Sequence, residues 1–225
     1  VDLDDKTPLI SSNDSSGEVA FSKLADLPFW KQVLTPEFII YELYLMVATM
    51  WLNMYFGTVE ARMLQFLPQD RVVFLVEMFS LILPASFLVA PVISYLSVLP
   101  HSFHFWCIHM SGILFSMLIF LKFEWVLYPT FILFSCYRMM FYATVNTYIV
   151  TVFGFKNLGK LLGLAGAIAG AFNAIQYWFL ELVFDTYDGK FLVIDYIQLG
   201  SYLVLTIFPI YLMTSWHRRH FNHLR

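Results

Sequence analysis

From Pro36 onward the chain is a succession of long apolar runs separated by short polar punctuation. Six runs stand out, near Pro36 to Val59, Val72 to Val98, Phe103 to Leu121, Trp125 to Phe153, Leu158 to Phe184 and Phe191 to Trp216. At about 1.5 Å per residue, each is long enough as a helix to cross a hydrocarbon core roughly 30 Å thick. The pattern predicts an all-α membrane protein in which residues 36–216 form a six-helix transmembrane bundle and 217–225 a short tail. Ahead of the bundle the character changes. Residues 1–18, with Asp2, Asp4, Asp5 and a scatter of serines, have too little to bury and read as a disordered linker. Residues 19–35 set Phe21, Leu24, Leu27, Phe29 and Trp30 against Lys23, Asp26 and Lys31, the mixture expected of an amphipathic helix lying in the membrane interface. With no initiator methionine and no signal-peptide core, Val1 reads as a point inside a longer polypeptide.

Composition sharpens the class. Only 13% of residues are charged and 60% are hydrophobic, against roughly 25% charged in soluble domains, and the mean hydropathy is +0.70. A net charge of -3 with mixed signs gives no reason to expect nucleic acid as a partner. Cys107 and Cys136 lie inside apolar runs, where thiols pack as small hydrophobes, and no Cys/His spacing suggests zinc, so no cofactor is expected. The basic residues are asymmetric: Lys23, Lys31, Lys156, Lys160, Arg218, Arg219 and Arg225 fall on the side of the termini, and Arg62, Arg71, Lys122 and Lys190 on the other. The positive-inside rule then places both termini in the cytosol and the acidic stretch Asp185, Asp188, Asp195 on the opposite side. The sequon Asn13-Asp14-Ser15 would remain unmodified there. Asp5-Lys6-Thr7-Pro8-Leu9-Ile10 has the spacing of an acidic dileucine signal, Asp5 with Leu9 and Ile10, which reads either as endosomal or vacuolar sorting or as plain linker.

The polar residues within the apolar runs are the candidates for chemistry. Arg138 sits near the middle of the fourth run, where a guanidinium costs at least a few kcal/mol unless it faces a bundle interior or a wet cavity. It either contacts a solute or locks helices together. Asn53 and Tyr55 in the first run, Asn146 in the fourth, and Asn173 and Gln176 in the fifth could bind a ligand or serve as interhelical hydrogen-bond glue, worth roughly 0.6–2 kcal/mol each. Glu42 and Glu77 lie about two turns into their runs and suit either an interfacial or a gating role. The fifth run carries two small-residue stripes, Gly159/Gly163/Ala167/Ala171 and Gly166/Gly170/Ala174, a spacing that lets helix backbones approach closely in lipid. Pro84 and Pro91 should kink the second run, because proline lacks the backbone donor.

These residues carry a family resemblance. The segment Arg138-Met-Met-Phe-Tyr142-Ala-Thr-Val-Asn146-Thr147-Tyr148-Ile-Val-Thr-Val-Phe153-Gly154-Phe, followed by Leu158-Gly159-Lys160-Leu-Leu-Gly163-Leu, resembles the tenth and eleventh spans of the major facilitator superfamily. More narrowly, it is similar to the system-L-type facilitative transporters of large neutral amino acids and their fungal and protist relatives. Leu27-Pro28-Phe29-Trp30-Lys31-Gln32 resembles the end of their central cytosolic loop. The resemblance covers the C-terminal half of a twelve-helix fold. It implies an N-terminal six-helix half as partner, on the same or a separate polypeptide, alternating access around a midplane site, and residence in a vacuolar, lysosomal or plasma membrane. The glycine-and-basic signature common in the superfamily between its second and third spans is missing from Ser97 to His104.

Two other classes stand beside a carrier. An intramembrane protease needs an embedded Gly-x-Ser with histidine, or paired aspartates in adjacent spans. Here the aspartates read as tail and loop residues, and His101, His104 and His109 cluster at the start of the third run as a cytosolic interface. A non-transporting structural or assembly subunit is the alternative to a carrier.

Overall fold

The computed structural model describes residues 24–91 and 101–221, apart from the side chains of 101–102 and 215–221. The 1–18 linker with Asp5, Leu9, Ile10 and Asn13, the first part of the amphipathic segment, the end of the second run with the residues just after it, and the final residues of the tail lie outside them. Among the described residues every regular element is helical.

A short helix, α1 (Phe29–Val33), begins only after Pro28. The expected interfacial helix is therefore interrupted, because proline at 28 cannot continue a preceding turn. Trp30 and Leu34 remain exposed on it. The long helix α2 (Pro36–Met63) follows, its start marked by Thr35, whose Oγ1 accepts the Phe38 amide at 3.3 Å, and by proline at the first helical position. Next, α3 (Gln69–Ala85) passes just beyond Pro84 into a 3₁₀ turn at Ser86–Val89, the disruption expected of that proline; Pro91 lies at the edge of the described residues. After α4 (His101–Leu118) comes α5 (Glu124–Phe153), which ends at Gly154 with φ of 69°, a conformation that favours glycine. The fifth run divides into α6 (Leu158–Asn173) and α7 (Ile175–Glu181), separated at Ala174 and prolonged by a π-helical turn at Leu182–Thr186. The sixth divides at Thr206 into α8 (Leu192–Leu205) and α9 (Ile207–Phe221).

Four stretches are both long and apolar enough to cross a membrane: Pro36–Met63, Gln69–Val89, Leu158–Thr186 and Leu192–Thr214. Phe103–Leu118 is apolar but shorter. With 30 residues α5 has the length, but tyrosines, threonines, Asn146 and Arg138 dilute its apolar character. This architecture is compatible with an integral multi-pass membrane protein.

The central column is α2: 67% of its apolar stretch is buried, against 17% for α3 and for the α6–α7 line. Aromatic pairs give the direction of its neighbours. Phe38 meets Phe153, Tyr41 stacks on Tyr148 and Tyr55 meets Phe134, so α5 runs antiparallel to α2. Tyr44 meets Phe105 and Tyr55 meets Phe115, so α4 runs parallel to it.

At the start of α2, Gln32 is completely buried. Its Nε2 donates to Leu24 O at 2.8 Å and to Phe153 O at 3.2 Å, and its Oε1 accepts from Asn157 Nδ2 at 3.0 Å. The segment before the bundle is thereby clipped onto the α5–α6 turn. A Cβ on Gly154 would lie 3.0 Å from that of Ala25. The opposite end of the bundle holds Arg62, from the last turn of α2, paired with Asp195 in the first turn of α8 at 2.5 Å. Asp195 is thus a buried helical residue, not a loop acid as the sequence suggested. The Arg71–Glu124 pair and the contacts of Gln65 with Gly189 O and Lys122 lie at this same end.

A third polar group sits within the core. Tyr137 and Tyr202 share a hydroxyl hydrogen bond of 2.8 Å, and His109 Nε2 lies 2.8 Å from Thr206 Oγ1. His109 is fully buried and does not belong to a cytosolic interface, because the helical register turns it toward α8 and α9. The glycine that this core needs is Gly112, where a Cβ would meet the Tyr202 ring at 2.9 Å and the Tyr137 ring at 3.2 Å.

Candidate functional site

Three helices frame a cleft of about 250 Å³. From α2 it takes the stripe Tyr41, Leu45, Thr49, Asn53, four residues apart and hence on one helical face. From α5 it takes Tyr142, Val145 and Asn146, and from α6 the segment between Leu162 and Asn173. Three candidate amides from three separate helices therefore converge: Asn53, Asn146 and Asn173.

None of these amides is used as glue. The side chains of Asn53, Asn146 and Asn173 make no hydrogen bond with the described residues, and Asn173 Oδ1 is buried without a partner. A polar group kept from water and left unpaired costs free energy, about 1–3 kcal/mol for a neutral one. The hydroxyls nearby behave differently: Thr49 returns its proton to Leu45 O at 2.6 Å, and outside the cleft Thr147 and Thr151 likewise bond their own helix. The cleft thus presents uncharged amide groups among apolar side chains, with Tyr41, Thr49 and Tyr142 also in its lining.

The remaining candidates are placed elsewhere. Arg138 is half-buried on α5, one turn from Tyr142, and its guanidinium lies over the Phe56 ring at 5.1 Å. Phe56 is itself one turn from Asn53 on α2, so this pair stands at one end of the cleft without lining it. Arg138 makes no ion pair or hydrogen bond with the described residues, so the contact it makes across to α2 is with this ring. Tyr55 does not face the cleft. It is two residues from Asn53, about 200° around the helix, and is buried against Phe115 and Phe134. Gln176 lies beyond the interruption at Ala174 and is half-buried outside the cleft. Glu77 is exposed on α3, and Glu42 is buried on α2.

The small-residue stripes take a different role from the expected one. A Cβ at Gly159, Gly163, Gly166 or Gly170 would meet nothing within 4 Å, so no described helix approaches closely there. The face of α6 packed on α2 is Leu161, Ala165 and Ala169, a stripe offset from the glycines. Gly166 and Gly170 instead form part of the cleft wall.

Sequence reasoning missed Tyr142 as a lining residue, the Arg62–Asp195 pair and Gly112. Tyr142 had a signal, being four residues from both Arg138 and Asn146. The pair had none, since its partners are 133 positions apart. No family model, no curated protein and no solved structure matches this chain.

Proposed function

We propose that this chain is the C-terminal six-helix half of a major-facilitator carrier that moves large neutral amino acids by alternating access. The observation carrying this reading is the convergence of Asn53, Asn146 and Asn173, unbonded among the described residues, on one cleft between three helices. Unspent hydrogen-bonding groups among apolar side chains suit a small ligand that supplies the missing partners. Arg138, free of any carboxylate at the cleft end, suits the carboxylate of a zwitterion through two parallel charge-assisted bonds.

The alternation of direction along α2, α4 and α5 agrees with six crossings, with α6–α7 and α8–α9 as the last two. Lys31, Lys156 and Lys160 gather at the Gln32 clip, and Arg62, Arg71 and Lys122 at the other end of the bundle. That segregation fits cytosolic termini in a vacuolar, lysosomal or plasma membrane. The exposed faces of α3 and α6, with Glu77 on one and open glycines on the other, fit a second six-helix unit packed against them.

The test is leucine uptake into proteoliposomes containing the chain together with an N-terminal six-helix half, on the same or a separate polypeptide. Uptake should require both halves, and Arg138→Lys should weaken it about tenfold or more without loss of folded protein, since lysine cannot reproduce the guanidinium fork. Uptake with unchanged apparent affinity in Arg138→Lys would remove Arg138 from the site. A six-helix unit that assembles with other membrane subunits and moves no solute would favour the structural-subunit reading.

A further inference from the structure

We propose that the pocket at the Arg62–Asp195 end of the bundle binds a small monovalent anion of the size of chloride. The inference stands apart from the carrier reading and does not depend on it.

The pocket lies between the end of α2, the α4–α5 connection, α5 and the start of α8. Its charged lining residues are Arg62, Lys122 and Asp195, two cations against one carboxylate. Asp195 is already engaged by Arg62 Nη1 at 2.5 Å, and Arg62 Nε donates to Thr58 Oγ1 at 3.0 Å. Arg62 Nη2 is left over: it is buried and has no acceptor among the described residues, on a residue 8% exposed. A buried ion pair is stable when further hydrogen bonds take up the remaining protons of the guanidinium, so this fork is one acceptor short. Phe191, its ring centre 4.4 Å from the guanidinium carbon, supplies a π-face and no oxygen. The Thr130 hydroxyl in the pocket wall donates to Val126 O at 2.6 Å within its own helix.

Lys122 brings the second positive charge. It is exposed, makes no ion pair with the described residues, and its Nζ donates to the uncharged Oε1 of Gln65 at 3.4 Å. Gln65 in turn donates to Gly189 O at 2.5 Å, which ties this rim to the connection before α8. Water alone would satisfy Nη2 and leave the surplus positive charge unanswered, whereas an anion meets both needs. Size then selects among anions. The pocket holds about 40 Å³, against roughly 10–15 Å³ for a single water. That is room for a monatomic ion with a water beside it, and too little for sulfate, phosphate or an amino acid. Bound there, the anion joins the end of α2 to the α4–α5 connection. A ligand held by the folded state and not by the unfolded chain raises stability as its concentration rises.

The experiment melts the detergent-solubilised chain at fixed ionic strength while sodium gluconate, whose anion is too large for the pocket, is exchanged for sodium chloride. Chloride should raise the melting temperature along a saturating curve, and bromide should do the same. Lys122→Gln, at an exposed position, should raise the half-saturating chloride concentration about fivefold, the upper range for an exposed charge pair. Lys160→Gln, at the Gln32 end of the bundle, should leave the curve where it was. Equal melting in chloride and gluconate overturns the proposal, and so does a chloride response that Lys122→Gln fails to shift. If Lys122→Gln does not fold, bromide-soaked crystals of the parent decide: an anomalous peak should stand beside Arg62 Nη2, and its absence overturns the site. Neither leucine nor a companion half enters these measurements, so their failure leaves the carrier reading as it was.

Discussion

Asp195 and Arg62 neutralise each other inside the bundle, with the guanidinium 4.4 Å from the Phe191 ring centre and its Nε donating to Thr58. Removing one partner strands the other, and an uncompensated buried charge costs about 3–5 kcal/mol, whereas apolar replacement of both is often neutral. Asp195→Asn should therefore lower the melting temperature of the detergent-solubilised protein sharply, and Arg62→Met with Asp195→Leu should recover most of the loss. Equal melting of Asp195→Asn and the parent would show that the pair contributes nothing. Gly112→Ala poses a contest of magnitudes. Alanine gains about 1 kcal/mol of helix propensity, but its methyl must displace the fully buried Tyr202 and Tyr137 rings, and overpacking of this kind costs about 1–3 kcal/mol. Because the rings are wedged among Phe115, Phe141 and His109, the clash should win, and thermal scanning should show destabilisation. In the cleft, Asn53, Asn146 and Asn173 lose no hydrogen bond to the described residues on truncation. Alanine at each should reduce leucine uptake while the yield of folded protein stays level, the reverse of what interhelical glue would give.

The element scale turns on two glycine-bearing stretches with opposite expectations. Gly154 closes α5 at φ 69° and ψ -174°, a region nearly closed to other residues, with Ala25 packed 3.0 Å from where a Cβ would stand. Strain of this type costs about 1–3 kcal/mol. Gly154→Ala should unseat the segment held by Gln32, seen as protease cleavage ahead of α2 in a protein whose helical content is unchanged. On α6, Gly163→Ala and Gly166→Ala meet nothing within 4 Å among the described residues. They should leave the isolated chain as stable as before or raise its stability by up to about 1 kcal/mol. If the chain pairs with the N-terminal half proposed above, their effect should appear only in its presence, as weaker association by pull-down in detergent. If either alanine destabilises the isolated unit, some contact within this chain covers that face after all.

For the whole molecule, the distribution of burial is the informative property. A column at 67% burial flanked by helical lines at 17% is a bundle organised around α2 and open on the α3 and α6–α7 sides. In lipid alone those sides would expose Glu77, whereas in the twelve-helix carrier proposed above they would meet the other half. Cysteine placed at Gly166 should react with a water-soluble maleimide in the assembled carrier and be protected by saturating leucine. Labelling unaffected by leucine would separate the cleft from the transport path.

The membrane character, the helical class and the approximate ends of most runs were legible in the sequence, because hydrophobic length and proline and glycine punctuation act locally. Thr35 before Pro36, Pro84 before the 3₁₀ turn and Gly154 after α5 each behaved as their own chemistry dictates. Which polar residues meet was not legible in that way. A residue shift of two sends Tyr55 into the core and leaves Asn53 in the cleft, and only the packing of α2 against α5 and α6 decides which face is which. The small-residue stripes show the same limit: spacing predicted close approach, while the helix pressed its alanine and leucine stripe onto α2 and left the glycines open. The Arg62–Asp195 pair depends on a helix end and a helix start 133 positions apart, brought together by the antiparallel return of α8. Local rules of helix formation and solvation are written residue by residue, whereas pairing across helices depends on rotation and register that the tertiary structure alone sets.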